Sequence, residues 1–157
     1  MYDGDLTAQT RRRNIALHMT HAEREAFLAD LHVGVLAINE EGMAPSAAPI
    51  WYLYEPGGDI EFSMSASSQK ANLLHVGSRA TLVAQRETRP PAYVSVEGPV
   101  TSIGEPSTPE FLERLYRRYL DDAEVDRRIA ARGDAEIESV ILRLRPERWR
   151  TTDYSKA

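Results

Sequence analysis

Residues 58–74, GDIEFSMSASSQKANLL, change their period partway along, and that change decides the architecture. Ile60, Phe62 and Met64 alternate with Glu61, Ser63 and Ser65 in the two-residue rhythm of a strand with one buried face. The serines Ser63, Ser65, Ser67 and Ser68 then carry the chain into QKANLLHV, a short helix stopped by Gly77. A strand end that passes through hydroxyls into a helix start collects anion-binding devices. Free backbone N–H groups and the helix dipole favour a phosphate, hydroxyls add donors, and Lys70 in the first turn supplies a full charge. A serine cap would account for the hydroxyls alone. Lys70 argues for more, because a cation at a helix start opposes the dipole unless something anionic is bound there.

Outward from this stretch the chain is mostly strand. Towards the N-terminus, Val33 to Asn39 is apolar and partly β-branched, and the NEEG tetrad turns it into a second strand over Ala44 to Glu55. Pro45 and Pro49 cannot donate ladder hydrogen bonds, so the first half of that strand belongs at an edge or a bulge. Trp51 and Tyr52 fall on opposite faces. Pro49, Ile50 and Trp51 make an irregular stretch beside a flat aromatic, a reasonable wall for a flavin-like ring. Further upstream, Thr20 and Glu23 form a capping box that opens an amphipathic helix, after a polar arm over residues 1–18.

Towards the C-terminus, Arg79 to Glu87 and Tyr93 to Ile103 read as strands, with Gly98-Pro99 marking a bulge or a sharp bend. STPE then offers two helix starts, Ser107 with Glu110 or Thr108 with Pro109 at the first position. Phe111, Leu112, Leu115, Tyr116, Tyr119 and Leu120 form that helix's stripe, and a second helical segment ends near Gly133. Val140, Leu142 and Leu144 alternate in a closing strand. Six strands with mostly hairpin-length links predict a mainly β fold, an antiparallel barrel or sandwich with peripheral helices.

Composition narrows the function. At 157 residues, 42% hydrophobic and 27% charged, the chain suits one globular domain, expected over residues 19–157. It has no cysteine, which excludes thiolate nucleophiles, iron-sulfur clusters and Cys-ligated zinc. A net charge of -5 argues against nucleic acid, and no apolar run approaches the roughly 20 residues of a membrane span. A cytoplasmic location is expected. Phosphate-loop, dinucleotide, nucleophile-elbow and zinc-helix signatures are missing, and the histidines sit at helix ends or in the arm. No metal ligand set and no catalytic residue is assigned.

Taken in order, VGVLAIN, APIWYLY, GDIEFSMSASSQKANLL, RATLVAQRE, YVSVEGPV and RPERWRTTDYSK resemble the pyridoxamine 5'-phosphate oxidase-like split-barrel flavoproteins, over Met19 to about Tyr154. The resemblance implies a six-stranded antiparallel split β-barrel of Greek-key type. It also implies that Ser63 to Lys70, with Met64 and Gln69 among them, wrap a cofactor phosphate while Pro49 to Trp51 lie against the ring. The APIWYL stretch lacks the two basic residues that pyridoxamine phosphate oxidases carry there, and RWRTTDYSKA lacks their histidine. The branch implied is therefore the deazaflavin (coenzyme F420) dependent reductases. Such an enzyme passes hydride from reduced deazaflavin to an electron-poor small molecule of enone, quinone or tetrapyrrole type. An FMN-dependent oxidase or reductase on the same scaffold, or a flavin- or heme-binding protein without turnover, is the alternative. A barrel this small is filled by its own side chains, so the cofactor must bind outside it, and a homodimer is expected to supply the second wall.

Overall fold

Thr20 opens the first helix as a capping box: its hydroxyl accepts the Glu23 N–H at 3.3 Å, and the Glu23 carboxylate accepts the Thr20 N–H at 2.6 Å. This helix, α1 (His21–Ala29), is followed by β1 (Gly34–Ile38), β2 (Ser46–Ile50), β3 (Ile60–Ser65), α2 (Gln69–Leu73), β4 (Arg79–Arg86) and β5 (Ala92–Pro106). Helices α3 (Pro109–Tyr119) and α4 (Asp122–Arg132) and strands β6 (Ser139–Leu144) and β7 (Arg148–Asp153) complete the chain. The computed structural model describes residues 16–133 and 138–157. Of the expected arm, residues 1–15 lie outside the described residues. Leu17 is buried and its carbonyl accepts the Asp153 N–H at 2.8 Å.

The strands run antiparallel in the order β2-β1-β4-β5-β6-β3, a curled six-strand half-barrel, and β7 adds a seventh strand against β5. The six-stranded split barrel expected from the sequence is present, and the seventh strand adds to it. RWRTTD buries only Thr151 fully and half-buries Trp149, while Arg148 and Arg150 face outward, so its apolar signal is weak. As the prolines require, β2 is an edge strand. It is also shorter than expected: regular pairing stops at Ile50, and the chain regains a partner only at Leu53, which bridges Glu61 of β3.

The bend expected at Gly98-Pro99 is the corner of the barrel. Up to that point β5 pairs with β4 and β7, and from Val100 onward with β6. The chain leaving β6 crosses directly over the corner, where a Cβ on Gly98 would lie 1.6 Å from the Arg145 carbonyl oxygen. Inside the barrel Leu36, Tyr52, Ile60, Phe62, Leu82, Val94, Val96, Leu142 and Leu144 are fully buried. A second, smaller cluster of Phe111, Leu112, Leu115 and Ile141 sits outside it, under α3, with Trp51, Leu53, Tyr116 and Tyr119 packed against it. Thr108 rather than Ser107 caps α3, accepting the Phe111 N–H at 3.1 Å.

Among the described residues no helix is long and apolar enough to cross a membrane. The His32 ring stacks on Phe27 at 4.4 Å, and burial pushes its pKa below the ordinary imidazole value.

Candidate functional site

The gap between the end of β2 and the start of β3 is where the barrel is split, and a tyrosine from outside the sheet fills it. Tyr119, on α3, accepts the Tyr52 N–H at 3.1 Å and its hydroxyl lies 2.8 Å from the His32 carbonyl and 3.1 Å from the Tyr52 carbonyl. These backbone groups have no strand to pair with, so a phenol does for them what a ladder would. The neighbouring Arg118 donates to the carbonyls of Ala29 and Asp30 and fastens α3 to the end of α1. Tyr52 itself is core: its hydroxyl donates to the Leu28 carbonyl at 2.8 Å, and burial drives its pKa far above the ordinary phenol value. It takes no part in the site.

Because Tyr52 points into the barrel, Trp51 points out of it. The Trp51 indole stacks on Tyr119 at 4.9 Å with planes 4° apart and meets Tyr116 edge-on at 6.4 Å. This aromatic wall borders a cavity of about 830 Å³ between β2, β3, α2 and α3. The cavity is within the usual size range for a small-molecule or cofactor site. Pro49, Ile50, Trp51, Ser63, Met64, Ser65, Ser68, Gln69 and Lys70 all line it. The structure therefore brings together two segments that the sequence singled out separately. Ser67 is the exception; it bonds to Ser65 at 3.1 Å, hydroxyl to hydroxyl, and does not line the cavity.

Leu112, Leu115 and Tyr116 supply the far wall. They were legible as the stripe of α3, but nothing in their spacing says that the stripe faces a cavity rather than closed core. Ser46, Phe62 and Ser139 also contribute through strand register, and Val33 contributes from just before β1.

The cavity is chemically two-ended. Trp51, Tyr116, Leu112 and Leu115 make one part flat and apolar, whereas Ser65, Ser68, Gln69 and Lys70 make the other polar. The Ser68 hydroxyl accepts the Ala71 N–H at 3.2 Å, which leaves its own O–H free to donate. Lys70 has no ion pair or hydrogen bond among the described residues. The helix start expected to attract an anion is weak: α2 is only five residues long, so its dipole is small and Lys70 lies in its last turn as well as its first. The charge of Lys70, not a helix end, is what the polar end has to offer an anion.

A model of the pyridoxamine 5'-phosphate oxidase family matches residues 20–153. The chain belongs to this family. Solved structures with the same fold include a conserved hypothetical protein of Mycobacterium tuberculosis, 24% identical, covering 90% of this chain and 89% of that one with a TM-score of 0.66. An F420 reductase is 21% identical, covers 80% and 94% respectively and gives a TM-score of 0.63. A FAD and heme binding protein of Mycobacterium smegmatis is 15% identical over 88% and 73%, also with a TM-score of 0.63. No curated protein matches the chain. As a member of the pyridoxamine 5'-phosphate oxidase family, the chain carries the flavin-type split barrel, and the cavity lies outside the barrel core as that fold requires.

Proposed function

We propose that the protein is a deazaflavin (F420) dependent oxidoreductase that reduces an electron-poor small molecule and works as a homodimer. The observation that carries this reading is the two-ended cavity, flat and aromatic along Trp51 and polar around Lys70, in a chain of this family. The residues present fit such a cofactor: an extended aromatic wall for a ring system, and a lysine with serine and glutamine donors for a phosphate. The cofactor, when bound, supplies hydride transfer.

The chain's own residues do the rest. The Trp51-Tyr119 stack fixes one wall because Tyr119 is tied to two backbone segments and cannot swing away. Lys70, Ser68 and Gln69 anchor the phosphate and set the depth at which the ring lies. Leu112, Leu115 and Tyr116 exclude water from the apolar part. Tyr116 and Lys70 are the titratable side chains among the described residues lining the cavity, and in this reading the proton that accompanies reduction comes from solvent. Homodimer formation is supported by the outer face of β1, β2 and β4, where Val35 pairs with Pro49 on one side and Val83 on the other, and where Val33 and Val35 are 50% and 40% exposed.

Titration with deazaflavin and with FMN, followed by turnover of the reduced form against quinones, enones and tetrapyrroles, tests the reading. Tighter binding of deazaflavin and its reoxidation by an acceptor are expected. Turnover with FMN alone, or binding of flavin or heme with no turnover, overturns it.

A further inference from the structure

The polar end of the cavity carries a single positive charge among the described residues. Lys70 is the one cation among the described residues that line it, and the remaining polar groups are serines and Gln69. Gln69 is itself engaged by a carboxylate. Its side-chain amide donates to both oxygens of Glu40, at 3.2 and 3.3 Å, across 29 positions of sequence. Glu40 sits between β1 and β2 and forms no ion pair with a described residue. A negative charge thus lies one hydrogen bond away from Gln69, a donor that lines the cavity and directly precedes Lys70 in the chain.

Charge bookkeeping then separates two kinds of phosphate. A phosphomonoester carries about -1.5 to -2 at neutral pH, its second pKa lying near 6. A phosphodiester carries a single charge, which one lysine neutralises in full. A monoester leaves up to one charge unmatched and places it towards Glu40. We infer that this end of the cavity selects a phosphodiester-bearing tail over a phosphomonoester, and that Glu40, acting through Gln69, sets the preference. The inference rests on the reading of the cavity as a flavin-type cofactor site and extends it: the tail of F420 is joined through a phosphodiester, whereas FMN ends in a monoester.

The test uses matched ligands on both rings: riboflavin, FMN and the methyl ester of FMN, and the corresponding deazaflavin nucleoside, its 5'-phosphate and the methyl ester of that phosphate. Within each series the ring is constant and only the end group of the tail, with its charge, changes. Fluorescence titrations at pH 7.5 and 5.5 are run on the unmodified protein and on Glu40→Gln, which keeps a hydrogen-bonding amide against Gln69 but removes the charge. At pH 7.5 the methyl ester should bind about three- to tenfold more tightly than the monoester, the size expected of one partly screened like charge. The gap should close at pH 5.5, where the monoester takes up a proton, and close at pH 7.5 in Glu40→Gln. An unfolding curve for Glu40→Gln that overlays the unmodified protein's separates charge from structure.

Equal or tighter monoester binding at pH 7.5, or a ratio unmoved by Glu40→Gln, overturns the inference. Ester preference on the flavin ring with no deazaflavin binding upholds the charge selection and defeats the choice of cofactor. Absence of binding in both series defeats the cofactor site and this inference with it.

Discussion

Replacing Tyr119 with Phe removes one oxygen atom and should weaken the fold at the split of the barrel while leaving the aromatic wall in place. The Tyr119 hydroxyl accepts the N–H of Tyr52 at 3.1 Å and lies 2.8 Å from the His32 carbonyl. Tyr52 is fully buried, and β2 has already lost its regular partner at Ile50, so no strand is available to take over the freed N–H. A buried donor left unpaired costs about 1 to 3 kcal/mol, and the second hydrogen bond adds up to about 1 kcal/mol. A total near 2 kcal/mol corresponds to a fall in Tm of roughly 4 to 8 °C in a domain of this size. The Trp51 stack depends on the ring, which Phe keeps, so cofactor affinity should change by less than about fivefold. Urea denaturation of the apoprotein measures the first quantity and fluorescence titration the second. Tyr119→Leu serves as the contrast, since it removes the stack and should weaken cofactor binding further. If Tyr119→Phe unfolds within about 0.5 kcal/mol of the unmodified protein, the hydroxyl is not standing in for a strand and the account of the split is wrong.

Other measurements reach the remaining claims. Lys70→Ala should weaken cofactor binding about 10- to 150-fold and flatten its salt dependence, since a charge-assisted contact is worth roughly 1.5 to 3 kcal/mol; unchanged affinity counts against the phosphate assignment. Gly98→Ala should prevent folding or cost several kcal/mol, on the order of a severe core clash, because the new Cβ meets the Arg145 carbonyl; circular dichroism and a melting curve decide it. Burial holds the pKa values of Tyr52 and Tyr54 above their unfolded values, so the stability they contribute is complete below about pH 10 and is lost as pH rises beyond it. Absorbance of phenolate should therefore show these two rings ionising together with alkaline unfolding, and early ionisation of both would refute their burial. Sedimentation at micromolar concentration should give twice the chain mass of 17.6 kDa; a monomer that still binds cofactor tightly rules out the shared site.

Much of this molecule is written locally. The alternation of Ile60, Phe62 and Met64 is visible without a partner strand because one face of β3 is buried along its length. Thr20 with Glu23, and Thr108 with Pro109, mark helix starts because a cap bonds to N–H groups only a few residues away. Two prolines announce an edge strand because each removes a donor whatever the surroundings. The serines and lysine after β3 identify a polar end for the same reason: their chemistry belongs to the residues themselves.

What the sequence did not contain is what depends on residues far apart. Strand β7 was missed because its apolar face is only Trp149 and Thr151, and its pairing is decided by the exposed edge of β5 that β6 leaves free beyond the corner. The early end of β2 was missed because a hydroxyl 67 positions away satisfies Tyr52 in place of a strand, and no periodicity records such a substitution. Glu40 reaches Gln69 only because β1 and β2 turn beside α2. The residues alone determined that the chain alternates into a small antiparallel barrel and that an aromatic segment and a hydroxyl-rich, lysine-bearing segment stand ready. Tertiary structure decided that the two segments face one cavity, that α3 forms its third wall, and that Glu40 stands behind Gln69 at its polar end, since hydrophobic burial fixes which faces meet while local pattern fixes only which faces exist.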